Sequence, residues 1–291
     1  MTQLLLDVGN SRLKWALLRR DYTRGQRLAS QGVVELGSLK RSAAAWAQLL
    51  ERLGTRAGTR AGAVGAIHVC NVAGPAVERQ IRAAAVRAGL STPRFARSRM
   101  AEGGVSNGYR EAWRLGVDRW VALIGAHYEH PGKDLCLVGL GTAMTVDLLD
   151  ATGRHHGGCL LPGPRLMVES LLEHTAGIRR RAGGRAAAPG FDLAFGAATR
   201  ARDVGLYAHD THAALVAGAR QACASLIGEA LRAARLQLGR RPRLLLSGGA
   251  AAAITPLLPG RYWRQDDLIL RGLAVLAATP KSPDRIKSRR A

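Results

Sequence analysis

The chain has 291 residues, room for one large domain or two lobes at about 150 residues per domain. Hydrophobic residues make up 47% and aromatics only 4%, which supports a sizeable aliphatic core and excludes wholesale disorder. Lys and Arg number 43 against 21 Asp and Glu, a formal charge of +22 that invites a nucleic-acid partner. The basic residues are nearly all Arg and scattered, clustering mainly at Arg179–Arg185 and in the tail Lys281–Arg290, so solvated surface charge is the plainer account. No window approaches the roughly 18 apolar residues of a membrane span, and the run Met1–Leu6 is too short for a signal peptide. Cys70, Cys136, Cys159 and Cys223 form no C-x-x-C pair, so they read as buried free thiols in a reducing compartment, with no structural metal. The expectation is a soluble cytoplasmic protein with no membrane contact.

In chain order, Gln3–Val8, Leu13–Leu18 and Gly32–Leu36 read as three strands joined by short turns, an antiparallel meander. A helical pattern covers Ser42–Leu53, and the tandem Thr55-Arg56-Ala57-Gly58 and Thr59-Arg60-Ala61-Gly62 reads as a loop expansion. Val64–Cys70 is a buried strand, and Pro75 opens an amphipathic helix carrying Val77, Ile81, Ala84 and Ala85. A further helix covers Trp120–Ala126. The second half repeats the logic with strands at Leu135–Leu140, Thr142–Leu149 and His155–Leu161, then a helix at Met167–Leu172. Arg179–Pro189 lacks a hydrophobic period and is expected to be a mobile basic loop. Thr211–Leu236 is Ala-rich and helical, as one helix or two; Arg243–Leu246 is a strand and Leu268–Ala278 a final helix. Such pairwise repetition of one α/β unit suits two lobes gripping a nucleotide.

Three motifs carry chemistry. Asp7-Val8-Gly9-Asn10-Ser11-Arg12-Leu13-Lys14 brings a carboxylate to a tight turn. There Gly9 permits close backbone approach, and Asn10, Ser11 and backbone N–H groups can donate to phosphate oxygens. Asp7 can hold Mg²⁺ directly or through water, and Lys14 adds positive charge. An ordinary hairpin turn has a similar composition. Gly139-Leu140-Gly141-Thr142-Ala143-Met144-Thr145-Val146-Asp147 is a second strand, glycine turn and strand. Tyr109 and Gly116-Val117-Asp118-Arg119 form the third: Asp118 reads either as a helix N-cap or as a general base for a hydroxyl attacking phosphorus, with Arg119 and Tyr109 binding an anionic substrate. No G-x-x-x-x-G-K-[ST] loop and no strand-linked G-x-G-x-x-G opening a helix occurs, so the P-loop and Rossmann readings lose their main support.

These motifs, with Gly157-Gly158-Cys159-Leu160-Leu161-Pro162-Gly163, Asp210-Thr211, Ser247-Gly248-Gly249 and Leu268-Ile269-Leu270-Arg271-Gly272-Leu273, give the chain a resemblance to the type III pantothenate kinases, the group that includes the Bvg accessory factor-like proteins. The resemblance implies an actin/hexokinase/Hsp70-like α/β fold of two ribonuclease-H-like lobes, 1–117 and 118–279, followed by a basic tail at 280–291. It implies a homodimer that phosphorylates pantothenate with Mg²⁺-ATP to 4'-phosphopantothenate, the first step of coenzyme A synthesis. By that resemblance Asp7, Val8, Gly9, Asn10, Ser11, Arg12, Leu13, Lys14 and Thr142 contact ATP. Tyr109, Gly116, Val117, Asp118, Arg119 and, across the dimer, Thr211 contact pantothenate, and Asp118 is the catalytic base.

Two positions depart from the family pattern. Gly139 stands where an Asp usually binds K⁺ or NH₄⁺, which puts dependence on a monovalent cation in doubt. Asp210 replaces the usual Asn before Thr211, placing a negative charge near an anionic substrate unless a basic residue pairs with it. The competing readings are a non-catalytic regulatory or nucleic-acid-binding accessory protein, and an actin-fold kinase for another small hydroxyl substrate. No helix-turn-helix, zinc-finger or RNA-binding signature supports a specific nucleic-acid partner.

Overall fold

The computed structural model describes residues 2–19, 22–39, 42–56, 64–182, 206–258 and 260–278. The basic tail, the second copy of the Thr-Arg-Ala-Gly tandem and the part of the basic loop after residue 182 lie outside them. The chain divides into two compact units. One is drawn from Met1–Gly104, Trp113–Glu129 and Ile269–Ala291, the other from Val105–Ala112 and His130–Leu268. The grouping is not linear in sequence: relative to a division between residues 117 and 118, residues 118–129 and 269–278 go with the first unit and Val105–Ala112 goes with the second.

The first unit is built on a five-stranded sheet, β1 (Thr2–Val8), β2 (Arg12–Leu18), β3 (Ala29–Glu35), β4 (Val64–Asn71) and β5 (Arg94–Phe95), in the order β3-β2-β1-β4-β5. The meander β1–β2–β3 is antiparallel, and β4 and β5 join it in parallel. Leu36, expected to end β3, starts the short helix α1 (Leu36–Leu39). Strand alternation sends Leu4, Leu6 and Val8 to one face, where they meet Trp46, Leu49, Leu50 and Leu53 of α2 (Ala43–Arg56) and Val77, Ile81, Ala84 and Ala85 of α3 (Pro75–Arg87). Each such aliphatic side chain contributes about 1.5–3 kcal/mol when fully buried.

Leu5 and Asp7 point to the opposite face. There α4 (Val117–Glu129) packs against β4. Two short strands, β6 (Ala101–Glu102) and β7 (Val105–Ser106), precede it.

The second unit repeats the same topology. Strands β8 (Leu135–Leu140), β9 (Ala143–Leu149), β10 (His155–Pro162), β11 (Arg243–Ser247) and β12 (Tyr262–Arg264) lie in the order β10-β9-β8-β11-β12. The first three are again antiparallel and the last two parallel. Helix α5 (Pro164–His174) follows β10. Residues Arg179–Arg181, expected in a loop, instead end the helix α6 (Ala176–Arg181). Ile178 packs beside Val168 and Leu172 there, an apolar contact that a purely basic reading overlooks.

Helix α7 is one continuous helix, Thr211–Leu238, ended by Gly239 in the left-handed conformation (φ 69°). It covers β8 and β9 through Cys223, Ala224, Ile227 and Leu231. The short α8 (Ala251–Ile254) follows β11, and α9 (Leu268–Ala278) closes the described chain. Cys70, Cys136 and Cys223 are buried free thiols as expected, but Cys159 is exposed, because β10 turns it outward from an edge strand. No described helix is long and apolar enough to cross a membrane.

Helix α9 is what holds α4 in place. The ends of the two helices are tied by Arg271, whose guanidinium lies 3.2 Å from the Glu129 carboxylate and donates to the Tyr22 hydroxyl at 2.8 Å. One residue on, Gly272 sits so close to α4 that a Cβ there would lie 1.9 Å from the Val121 carbonyl oxygen. In an ordinary helix interior Gly→Ala stabilises by about 1 kcal/mol. Here the sign should reverse: Gly272→Ala is expected to destabilise by about 1–3 kcal/mol, as overpacking does. Urea unfolding checks this, and an unchanged or raised midpoint would show that α4 yields freely.

Candidate functional site

The first turn is shaped by the β1–β2 hairpin. Its register sets Asp7 opposite Lys14 on one side and beside Cys70 of β4 on the other, so all three share the sheet face that α4 covers. The Gly9 N–H donates to the Arg12 carbonyl at 3.0 Å and closes the turn, leaving Asn10, Ser11 and Arg12 exposed at its tip. Arg12 pairs with Glu35 at 3.0 Å. Val8 and Leu13 are fully buried in the core, so at this turn only their backbones are available to a ligand.

Helix α4 brings the second carboxylate. Its first helical bond runs from the Trp120 N–H to the Gly116 carbonyl at 3.0 Å, so Gly116, not Asp118, occupies the cap position. Asp118 sits in the first turn, and its Oδ1 accepts from the Arg119 N–H at 2.9 Å. A Cβ on residue 116 would lie 2.7 Å from that oxygen, so a larger residue there would displace the Asp118 carboxylate. Arg119 is itself buried.

Asp7 and Asp118 feel each other. The Asp7 carboxyl is pushed up to about 7, chiefly by burial, with Lys14 pulling it down and the Asp118 charge pushing it further up. The Cys70 thiol, raised mainly by burial, is raised further by the same two carboxylates. This crowding of like charge was partly legible: each carboxylate stood out in its motif. Cys70 did not, since only the β1–β4 register reveals it.

In the second unit, Thr142 is exposed at the β8–β9 turn, closed by the Gly141 N–H to the Ala143 carbonyl at 3.1 Å. Two tight approaches pin this turn. The Gly163 N–H donates to the Thr142 carbonyl at 2.8 Å, and Gly248 (φ +101°) lies so near that a Cβ would meet the Leu140 oxygen at 2.4 Å. Gly139 pairs across the hairpin with Thr145, whose Oγ1 would stand 2.8 Å from any Cβ at 139. Tyr109 is half-buried, with its ring stacked on His155. Sequence reasoning missed His155; a histidine at a strand start carries no signal of its own.

Thr211 is the first residue of α7. Asp210 caps that helix, its Oδ1 accepting from the Ala213 N–H at 2.8 Å. The sequence names no basic partner for Asp210; what meets its charge here is the helix N-terminus. Thr211 also borders an open apolar hollow of about 380 Å³ between α5, α6 and α7.

Among the described residues, no group of three or more His, Cys, Asp or Glu could cage a metal unaided. Mg²⁺ does not require one: it binds through one or two carboxylates while keeping waters and substrate phosphates. The Asp7 carboxylate, desolvated chiefly by burial and with a second carboxylate nearby, is a group that could take part in such a set.

Because Asp7 binds its proton more tightly when folded than when unfolded, it opposes folding as pH rises from about 4 to about 7. Asp7→Asn is therefore expected to leave stability near pH 4 unchanged. At pH 8 it should raise stability by an amount on the order of a few kcal/mol. Thermal melts of the ligand-free protein across this range check the prediction; parallel curves would show that Asp7 is not strained.

A family model described as type III pantothenate kinase matches residues 3–233. A type III pantothenate kinase of Burkholderia thailandensis is 37% identical over 286 residues, spanning 94% of this chain and 97% of the relative. One from Nitrosococcus oceani is 32% identical over 278 residues, spanning 94% and 93%. Among solved structures, a Baf family transcriptional activator from Campylobacter jejuni superposes with TM-score 0.54 at 16% identity, over 94% of this chain and 97% of that one. An activator of 2-hydroxyisocaproyl-CoA dehydratase from Clostridium difficile, with bound ADPNP, superposes with TM-score 0.53 at 13% identity, over 96% and 94%. These likenesses establish the actin/hexokinase/Hsp70-like fold.

Proposed function

We propose, from the premise that this chain belongs to the type III pantothenate kinase family, that it transfers the γ-phosphate of ATP to the primary hydroxyl of pantothenate, the first step of coenzyme A synthesis. The observation that carries the reading is the approach of Asp118 to Asp7 within one packed unit, close enough to help lift the Asp7 carboxyl to about 7. In this reading Asp7 to Lys14 receive the polyphosphate. The backbone N–H groups and the Asn10 and Ser11 side chains donate to it, and Lys14 offsets its charge. Thr142 makes a second ATP contact. Asp7 and the phosphates would hold Mg²⁺, which would supply neutralisation of the charge on the transferred group.

Gly116–Arg119 and Tyr109 receive pantothenate, with the buried Arg119 matched to its carboxylate. Asp118 accepts the hydroxyl proton as the oxygen attacks phosphorus in line. Positioning and charge neutralisation supply most of the rate, since phosphoryl transfer needs little covalent help. The assembly is a homodimer in which Thr211 completes the partner's substrate site. An ATP-consuming enzyme with four free cysteines fits the cytoplasm.

Asp118→Asn should keep the fold and lose turnover by about 10²–10⁴-fold, the usual share of a positioned base. ADP release with pantothenate, beside a few sugars and carboxylates, measures this and tests the substrate together. Wild-type turnover in the variant would remove Asp118 from the role, and preference for a sugar would remove pantothenate.

Residue 139 offers a monovalent cation no side-chain ligand. Equal activity in Na⁺, K⁺ and NH₄⁺ buffers is therefore expected. Strong activation by K⁺ would show that other oxygens supply a site.

A further inference from the structure

The segment that carries Tyr109 rests on a buried aspartate–histidine pair for which the phosphoryl transfer has no use. His155 is fully buried and Asp147 is 3% exposed, and His155 Nε2 lies 2.9 Å from Asp147 Oδ1. A register shift between His155 and Gly158, with Gly157 at φ +98°, interrupts the β9–β10 pairing just where His155 meets Asp147. The other ring nitrogen, Nδ1, faces the Gly108 N–H at 3.4 Å. A backbone N–H only donates, so Nδ1 must carry a lone pair and the ring proton must sit on Nε2, directed at Asp147.

The rest of the segment is anchored to the same hairpin or to itself. Gly108 presses on the His155 backbone so closely that a Cβ would come within 2.1 Å of its carbonyl oxygen. The Ser106 N–H donates to the Gly153 carbonyl at 2.9 Å. Asn107 accepts from the Tyr109 N–H at 2.9 Å and donates to the Ala112 carbonyl at 3.3 Å, closing the loop. The Tyr109 ring lies over the imidazole with centroids 5.9 Å apart and planes 16° from parallel. A desolvated pair of this kind is a weak source of net stability, since desolvation offsets most of the attraction. What it supplies is orientation.

We infer that His155, held with its proton on Nε2 by Asp147, is a positioning residue that sets Tyr109 and the 107–112 loop for the acid substrate. This rests on the reading above in which Tyr109 contacts that substrate. The pair governs affinity for the hydroxy acid. It leaves ATP binding and the transfer step untouched, because the Asp7–Lys14 turn and Asp118 are built on other elements.

Steady-state kinetics on the full-length protein test this with His155→Phe, Tyr109→Ala and the double variant. His155→Phe keeps a ring under Tyr109 but loses both hydrogen bonds. It should raise KM for pantothenate about 10-fold or more, with kcat and the KM for ATP within about two-fold. In the Tyr109→Ala background the same change should add less than about two-fold, since the two residues act as one. Full additivity in the double variant, or a loss of kcat at unchanged KM, would overturn the inference.

Should His155→Phe fail to fold, nitrogen NMR of histidine-labelled wild type decides: the inference requires the Nε2–H form at neutral pH, and a proton on Nδ1 refutes it. Wild-type ADP release with pantothenate tests the functional reading separately. If that fails while the Nε2–H form is seen, the reading falls and the placement of the loop by His155 stands.

Discussion

A carboxylate that the sheet will not let out of the interior governs this molecule. Asp7 lies one residue from the end of a strand whose other residues are almost all core, so the burial that secures Leu4, Leu5, Leu6 and Val8 also desolvates the acid between them. Lys14 across the hairpin relieves it in part, and Asp118 on α4 makes it worse. A folded protein tolerates such a conflict when a stable scaffold surrounds it. Here the scaffold is a five-stranded sheet with α2 and α3 on one face, and α4 locked against α9 at Gly272. A divalent cation would offset that crowding of negative charge and let an anionic polyphosphate approach, which links the packing to the proposed chemistry.

The two units solve one backbone problem in the same way. Each places three antiparallel strands beside two parallel ones, and each exposes a short turn after its first strand. Each turn is closed within its own hairpin, one by the Gly9 N–H and the other by the Gly141 N–H. The Thr142 turn is also held from outside, by Gly163 and Gly248 approaching its backbone. Glycine is needed at both of these contacts because a side chain would occupy the space the neighbouring carbonyl already fills.

The departures from the family pattern gain physical meaning in the same terms. Asp210 introduces a charge, but it spends that charge capping α7. Gly139 removes a side chain, and Thr145 across the hairpin occupies the space a Cβ would take.

Much of this was readable along the chain. Strand and helix order, the paired meanders, the single Ala-rich helix as one of two options, and the carboxylates Asp7 and Asp118 all followed from period-2 and period-3.6 patterns and turn chemistry, which are properties of adjacent residues. Tertiary structure decided the rest. The meeting of Asp7 with Cys70 depends on the register of strands some 60 residues apart, and that of Asp7 with Asp118 on α4 crossing the sheet. Pairing of His155 with Asp147 depends on an irregular register that no alternation pattern encodes. The grouping of α4 with the first sheet follows its packing against β4, and α9 comes closest to α4 at Gly272. Local sequence specifies which elements form. Which side chains then share a desolvated space is set by register and packing, where contacts between distant residues outweigh the preferences of neighbours.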